Sequence, residues 1–431
     1  MNIEKLLYQN VVWRGLFYLL TFILNIAIAR HFKSEVTGAL YYLINIYALI
    51  TLIGSVSLES GITFFAASGK IPPSGLFNFS LIWVAFIIVL MTIVFFSISF
   101  FSNIHIKSYE VLYAFLFVGG NLLITFLNSL LYADSKFILP NVAGIVINSV
   151  LIVLILFVNK NGWLTNEKYI FIYFGSFLLQ GTVLVIIFLI NSKPAYQFWL
   201  PSIAQVTLVF QYCLLAFASN LVTFLYYRVD YWFVHHYLSP EDLGNYIQVS
   251  KIAQMFFVLP GILATAVFPL TAGGRKQEIE DILMIVSRSI LLLYSIVCFL
   301  LAISGKWLFP FTFGGSFGNM YVPFLCLIPG ILGLSTLYTL TAYYAGKNRV
   351  MVNLKGALLA LVIITSGDAL FIPVYGINAA AVVSSFGYIA YHIYVVSIFK
   401  KEYKSSVQGF YFFKFSDVSR IKNSVMKNFL S

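Results

Sequence analysis

The sequence predicts an all-α integral membrane protein of twelve transmembrane helices, arranged as two parallel six-helix bundles around a central cavity. Three observations carry that prediction. First, 61% of the 431 residues are hydrophobic and 10% are charged, with a mean hydropathy of +0.93, whereas soluble domains carry roughly a quarter charged residues. Second, twelve stretches are apolar over the length of about 20 residues that a spanning helix needs: near 10–32, 38–67, 76–101, 109–133, 141–158, 168–191, 206–236, 242–271, 283–304, 322–345, 350–372 and 376–399. Third, the chain aligns with itself. Ser34-Glu35-Val36-Thr37-Gly38-Ala39-Leu40-Tyr41 matches Pro240-Glu241-Asp242-Leu243-Gly244-Asn245-Tyr246-Ile247, and Tyr132, Ala133, Asn141 and Gly144 match Tyr344, Ala345, Asn353 and Gly356. A six-helix repeat re-enters the membrane in the same direction, so the halves are parallel repeats. They run 1–192 and 206–399, joined by a cytoplasmic linker at 193–205 and followed by a basic, aromatic tail at 400–431.

Several spans carry a polar face, which hydrocarbon cannot hydrate and which must meet other helices or a wet cavity. In span 1, Arg14, Tyr18, Thr21 and Asn25 follow helical spacing. Arg14 has two readings, a cavity cation or a snorkelling interfacial one near the helix end. Span 2 places Ser55, Glu59 and Thr63 on one face, and span 4 does the same with Asn121, Thr125, Asn128 and Tyr132. The linker, with Pro194, Trp199 and Pro201, reads as a lever along the interface or as a plain connector. Span 7 carries Asn220, Thr223, Tyr227 and Asp230, with Arg228 turned about 80° from Asn220. Lys251 in span 8 is a partner for Asp230 if the two form an interhelical ion pair. Asp368 near the end of span 11 is either intramembrane or interfacial, and His392 in span 12 is a titrating group or a satisfied polar contact. Glu59, Asp230 and Asp368 are coupling candidates, because protonation or Na+ offsets the cost of burying a carboxylate. Gly54, Pro260, Pro269 and Pro329-Gly330 mark hinges or static kinks.

Charge placement gives orientation. With a cytoplasmic amino terminus, alternation puts 18 of the 26 Lys and Arg on the inner side and six outside, the bias of a bundle with both ends in the cytoplasm. The net charge of +11 thus reads as topology, and no nucleic-acid partner is expected. The first apolar run reads as a retained helix, lacking a basic lead and a small-residue cleavage site. Cys213, Cys298 and Cys326 lie in apolar spans, so neither disulfide nor metal is expected. The tail, with Phe410, Tyr411, Phe412, Phe413 and Phe415 among its basic residues, fits a strip on anionic headgroups or a disordered end. The sequence has no phosphate-binding GxxxxGK[ST] loop, no HExxH and no GxSxG, and the outer loops are short. An enzyme is the weaker class, and a membrane glycan polymerase or acyltransferase is its one remaining form.

Tyr226-Tyr227-Arg228-Val229-Asp230, Leu243-Gly244-Asn245-Tyr246, Lys251-Ile252, Leu259-Pro260 and Phe268-Pro269-Leu270 resemble the seventh and eighth helices of bacterial polysaccharide and O-antigen flippases of the Wzx type. Ile28-Ala29-Arg30, Glu35 to Gly38, Gly54 to Glu59 and the run from Ile372 to Ala380 are similar to the same family. These motifs are shared across the multidrug/oligosaccharidyl-lipid/polysaccharide (MOP) exporter superfamily. The resemblance implies a non-enzymatic transporter of the bacterial cytoplasmic (inner) membrane that moves an undecaprenyl-pyrophosphate-linked oligosaccharide, an O-antigen or capsular/exopolysaccharide repeat unit, to the periplasmic leaflet. It implies membrane lipids and polysaccharide assembly proteins as partners and no cofactor beyond H+ or Na+ coupling. Under it, Arg14, Arg228 and Lys251 are candidates for the pyrophosphate, and Tyr18, Asn25, Asn121, Asn128, Asn220 and Tyr227 for sugar hydroxyls. Some relatives have fourteen helices, and room for twelve points away from the lipid II branch. A cation-coupled multidrug exporter of the same superfamily is the alternative.

Overall fold

A chain this apolar has to pair its backbone internally, and it does so almost wholly in helices. The computed structural model describes residues 3–101, 107–160, 162–192, 198–272, 276–403, 411–412 and 417; it is 90% helix, with no strand among the described residues. In chain order the helices are α1 (Ile3–Ser55), α2 (Leu58–Ala67), α3 (Pro73–Phe101), α4 (Ser108–Ala133), α5 (Ile138–Ile155), α6 (Asn166–Ser192), α7 (Ile203–Tyr237), α8 (Pro240–Met255), α9 (Val258–Ala272), α10 (Lys276–Phe313), α11 (Tyr321–Gly346) and α12 (Val350–Tyr403), with a 3-10 turn at Gly315–Met320. Lys193 and Pro194 of the linker, and 404–410, 413–416 and 418–431 of the tail, lie outside the described residues.

Ten helices among the described residues are long and apolar enough to cross a membrane, where the sequence leads one to expect twelve. The difference lies in two double-length elements. α1 and α12, of 53 and 54 residues, would each extend about 80 Å if straight, over twice a bilayer core of about 30 Å. Each breaks at one positive-φ residue, Lys33 (φ 61°) and Gly376 (φ 66°). Beyond its break each helix folds back on itself. The Tyr41 hydroxyl donates to Asn25 Oδ1 at 2.5 Å, and a Cβ on Gly356 would meet the Tyr391 ring at 2.3 Å.

Two further interruptions fall near the sequence hinges. α1 gives way to α2 through Val56 (φ 47°) and Ser57 (φ 55°), just after Gly54. The freed groups find partners: Trp83 Nε1 donates to the Gly54 carbonyl at 2.8 Å, and the Ser57 N–H to Ser55 Oγ at 3.1 Å. α8 yields to α9 at Phe256 and Phe257, shortly before Pro260. Pro329, by contrast, sits inside a continuous α11.

The chain forms two compact units, Met1–Phe32 with Leu40–Leu221, and Lys33–Ala39 with Val222–Ser431. In the first, α4 and α6 approach closely because Gly120 and Gly181 carry no side chains; a Cβ on Gly120 would meet the Phe177 carbonyl carbon at 2.3 Å. Trp199, from the second half of the linker, lies over Gly75 and accepts from Asn78 Nδ2 at 2.9 Å through its carbonyl. In the second unit the repeat segments found in the sequence pack on each other: a Cβ on Gly38 would meet Gly244 N at 2.6 Å, and one on Gly244 would meet the Ser34 carbonyl oxygen at 2.0 Å. Two described tail residues also dock here. Tyr411 OH pairs with His392 Nε2 at 2.8 Å, and Asp417 accepts from Arg288 at 2.5 Å with both side chains buried.

Candidate functional site

Each unit carries part of the polar set, and each part holds both cations and carboxylates. In the first unit the Arg14 guanidinium lies 5.9 Å from the Tyr18 ring centroid, with Tyr132 of α4 in electrostatic range. Among the described residues no carboxylate pairs with Arg14. Along α1, Thr21 Oγ1 accepts from Asn148 Nδ2 at 3.0 Å, and Asn25 accepts from Tyr41. On α4, Asn121 bonds back to the Phe117 carbonyl at 2.9 Å, while Asn128 leaves its buried Oδ1 without a partner. Glu59 sits just after the α1–α2 break, with Ser55 and Ser57 in hydrogen-bonding reach and its Oε2 buried and unbonded. Asn220 of α7 donates to Ser57 Oγ at 3.0 Å, tying the head of its stripe to that break.

The second unit holds a carboxylate cluster. Asp230 of α7 is 1% exposed and accepts from Tyr246 OH at 2.5 Å, Ser384 Oγ at 3.2 Å and the Tyr231 N–H at 2.9 Å. Asp368 of α12 is wholly buried, lies in electrostatic range of Asp230, and has neither carboxylate oxygen hydrogen-bonded. Among the described residues no ion pair joins Asp230 to Lys251, so the interhelical pairing that the sequence offered as one reading is not the one formed. The reason is helical: Lys251 follows Tyr246 by five positions, about 140° round α8, and Tyr246 is the residue that faces the carboxylate.

Lys251 instead lies in electrostatic range of Arg228, whose guanidinium stands 5.3 Å from the Phe224 ring centroid. Tyr227 OH meets Tyr338 OH at 2.9 Å, in an aromatic cluster with Phe257 and Tyr388. Arg228 is thus in electrostatic range of both Lys251 and Asp230, Asp230 is in range of Asp368, and Asn220 pairs with Ser57 rather than with the Asp230 cluster. Sequence reasoning missed Asn148, Ser384 and Tyr338, and named Tyr41 only in the repeat and Tyr246 only in the repeat and the family resemblance. A buried tyrosine on a helix crowded with small residues was the one available signal.

No protein-family model and no curated protein sequence matches the chain. Solved structures do. The lipid II flippase MurJ in its inward closed conformation aligns at a TM-score of 0.70 and 15% identity, over 93% of this chain and 88% of that one. An inward-facing multidrug resistance MATE family transporter of the MOP superfamily aligns at 0.68 and 14%, over 94% and 97%. A MOP superfamily transporter from Pyrococcus furiosus aligns at 0.63 and 15%, over 93% and 95%. The chain is a multi-pass membrane protein with the MOP-type transporter fold.

Proposed function

We propose that the protein is a flippase that carries an undecaprenyl-pyrophosphate-linked oligosaccharide, an O-antigen or capsular/exopolysaccharide repeat unit, from the cytoplasmic to the outer leaflet by alternating access. The observation that carries this reading is the gathering of Arg228 and Lys251, two cations from adjacent helices in mutual electrostatic range within an apolar unit. Asp230 also lies in electrostatic range of Arg228, and a multiply charged anion such as a pyrophosphate would add attraction to both cations in low dielectric. In the first unit, considered by itself, Arg14 has no carboxylate partner among the described residues and is a separate candidate cation. Tyr18, Asn25, Asn121, Asn128, Asn220 and Tyr227 supply hydroxyls and amides suited to sugars. The lipid tail stays in the bilayer, so the path need accommodate only the headgroup.

Twelve crossings follow if each half of α1 and of α12 spans once, which returns both termini to the cytoplasm and agrees with the positive-inside bias. The halves are read as 1–192 and 206–399, with 193–205 as linker and 400–431 as tail. Asp368, buried with two unbonded oxygens beside Asp230, fits a group that takes up H+ or Na+ to drive the cycle, since either would give the carboxylate its missing positive partner. Glu59 is the corresponding candidate in the first unit.

One observation favours a second reading. The aromatic cluster of Tyr226, Tyr227 and Tyr388, with Asp230 in electrostatic range of Tyr388, also suits an amphipathic cation, as a cation-coupled multidrug exporter would need. The cationic positions separate the two. Arg14→Ala and Arg228→Ala are expected to reduce surface glycan at least tenfold, with the protein still inserted, as read by glycan staining beside membrane immunoblotting. Full export by both variants would remove the cationic site.

A further inference from the structure

We propose that the second unit carries a saccharide-binding pocket at its outer end, separate from the Arg228–Lys251 and Asp230–Asp368 groups. A cavity of about 440 Å³ opens there, lined by Asp242 at the start of α8, Lys306 near the end of α10, Asn319 in the 3-10 turn, and Tyr375 and Asn378 flanking the α12 break. That volume falls within the range of small-molecule sites, about 300–1,000 Å³, and suits one or two sugar rings.

The lining has the chemistry of sugar recognition. Tyr375 is 65% exposed, presenting an aromatic face to the apolar C–H side of a pyranose. Asn319 and Asn378 are exposed, and each offers a paired donor and acceptor that matches vicinal hydroxyls. Lys306 and Asp242 contribute one charge of each sign, so the pocket is close to neutral. An anionic headgroup would need a cationic excess, and a drug-like apolar cation an acidic one. The backbone keeps the floor clear: the break at Gly376, with φ 66°, needs glycine, and neither Gly318 nor Gly376 has any atom within 4 Å of where a Cβ would stand.

The pocket rests on the export reading for its ligand class, since alternation of the spans puts these loops on the side opposite the basic tail, where a translocated glycan emerges. A first contact for the delivered sugar there would favour release outward over return.

The test uses the full chain in lipid nanodiscs and saturation-transfer NMR against a panel of free neutral, N-acetylated and uronic acid disaccharides. At least one sugar is expected to give a signal that falls at least tenfold in Tyr375→Ala and in Gly318→Trp, which fills the cavity from a position of ordinary φ. Inorganic pyrophosphate is expected not to compete. The absence of any Tyr375-dependent signal, or competition by pyrophosphate that is lost in Lys306→Ala, overturns the pocket. Export is read separately: a chain that exports but shows no such signal refutes the pocket alone, while one that binds sugar here and never exports supports the pocket and refutes the flippase reading.

Discussion

Asp368→Asn is expected to cut export at least tenfold without lowering the melting temperature of the purified protein. The combination follows from the burial of both oxygens without a hydrogen bond. A buried unpaired charge is a cost to the fold, so neutralising it removes a penalty while deleting the group proposed to take up H+ or Na+. Residues that break stability rules at a functional site commonly show this trade-off. Asp230→Asn provides the contrast. Asp230 accepts three hydrogen bonds, and an amide in its place leaves a donor facing donors, at about 1–3 kcal/mol; its melting temperature should fall together with export. Thermal scans of the detergent-purified variants beside an export assay separate these outcomes. An Asp368→Asn protein that melts earlier yet exports normally would make Asp368 structural.

Gly244→Val is expected to prevent accumulation of folded protein. The obstacle is backbone: the added Cβ would lie 2.0 Å from the Ser34 carbonyl oxygen, and one on Gly38 would meet Gly244 N at 2.6 Å. Neither neighbour is a flexible side-chain end that can swing aside, so overpacking here should exceed the usual cost of about 1–3 kcal/mol. Gly175→Ala, where nothing lies within 4 Å, serves as the control and should accumulate as the wild type does. The readout is monodisperse yield by fluorescence-detected size exclusion.

Composition, apolar spans and the internal repeat made the helical membrane fold legible, because lipid admits only helices and closed barrels and apolar runs of about 20 residues fit the helix. Gly38 and Gly244, which the repeat aligns as equivalent positions, also touch in the structure, a contact that the alignment did not predict. The breaks at Lys33 and Gly376 were legible as span boundaries, though helical backbone runs almost unbroken through both turns and merges the spans.

The site was less legible. Asp230 was placed on the Asn220 stripe because successive spacings of three and four look continuous, yet over ten residues at 100° each the stripe drifts about 80°. That drift accounts for Asn220 bonding Ser57 while Asp230 turns to Tyr246 and Ser384. Nor does any local pattern reveal that Asp230 and Asp368 come within electrostatic range, since they sit on helices distant in sequence and only packing brings them near. Arg288 counted simply as one of the inner basic residues until its buried pairing with Asp417 appeared.

The flippase reading itself is tested most directly by tracing lipid-linked oligosaccharide by leaflet in a flippase-deficient strain with and without this protein. The account predicts that undecaprenyl-pyrophosphate-linked repeat units accumulate on the inner leaflet without the protein and reach the outer leaflet when it is supplied. An unchanged inner-leaflet pool with the protein inserted, especially beside increased efflux of a cationic dye, would contradict it and favour the multidrug exporter.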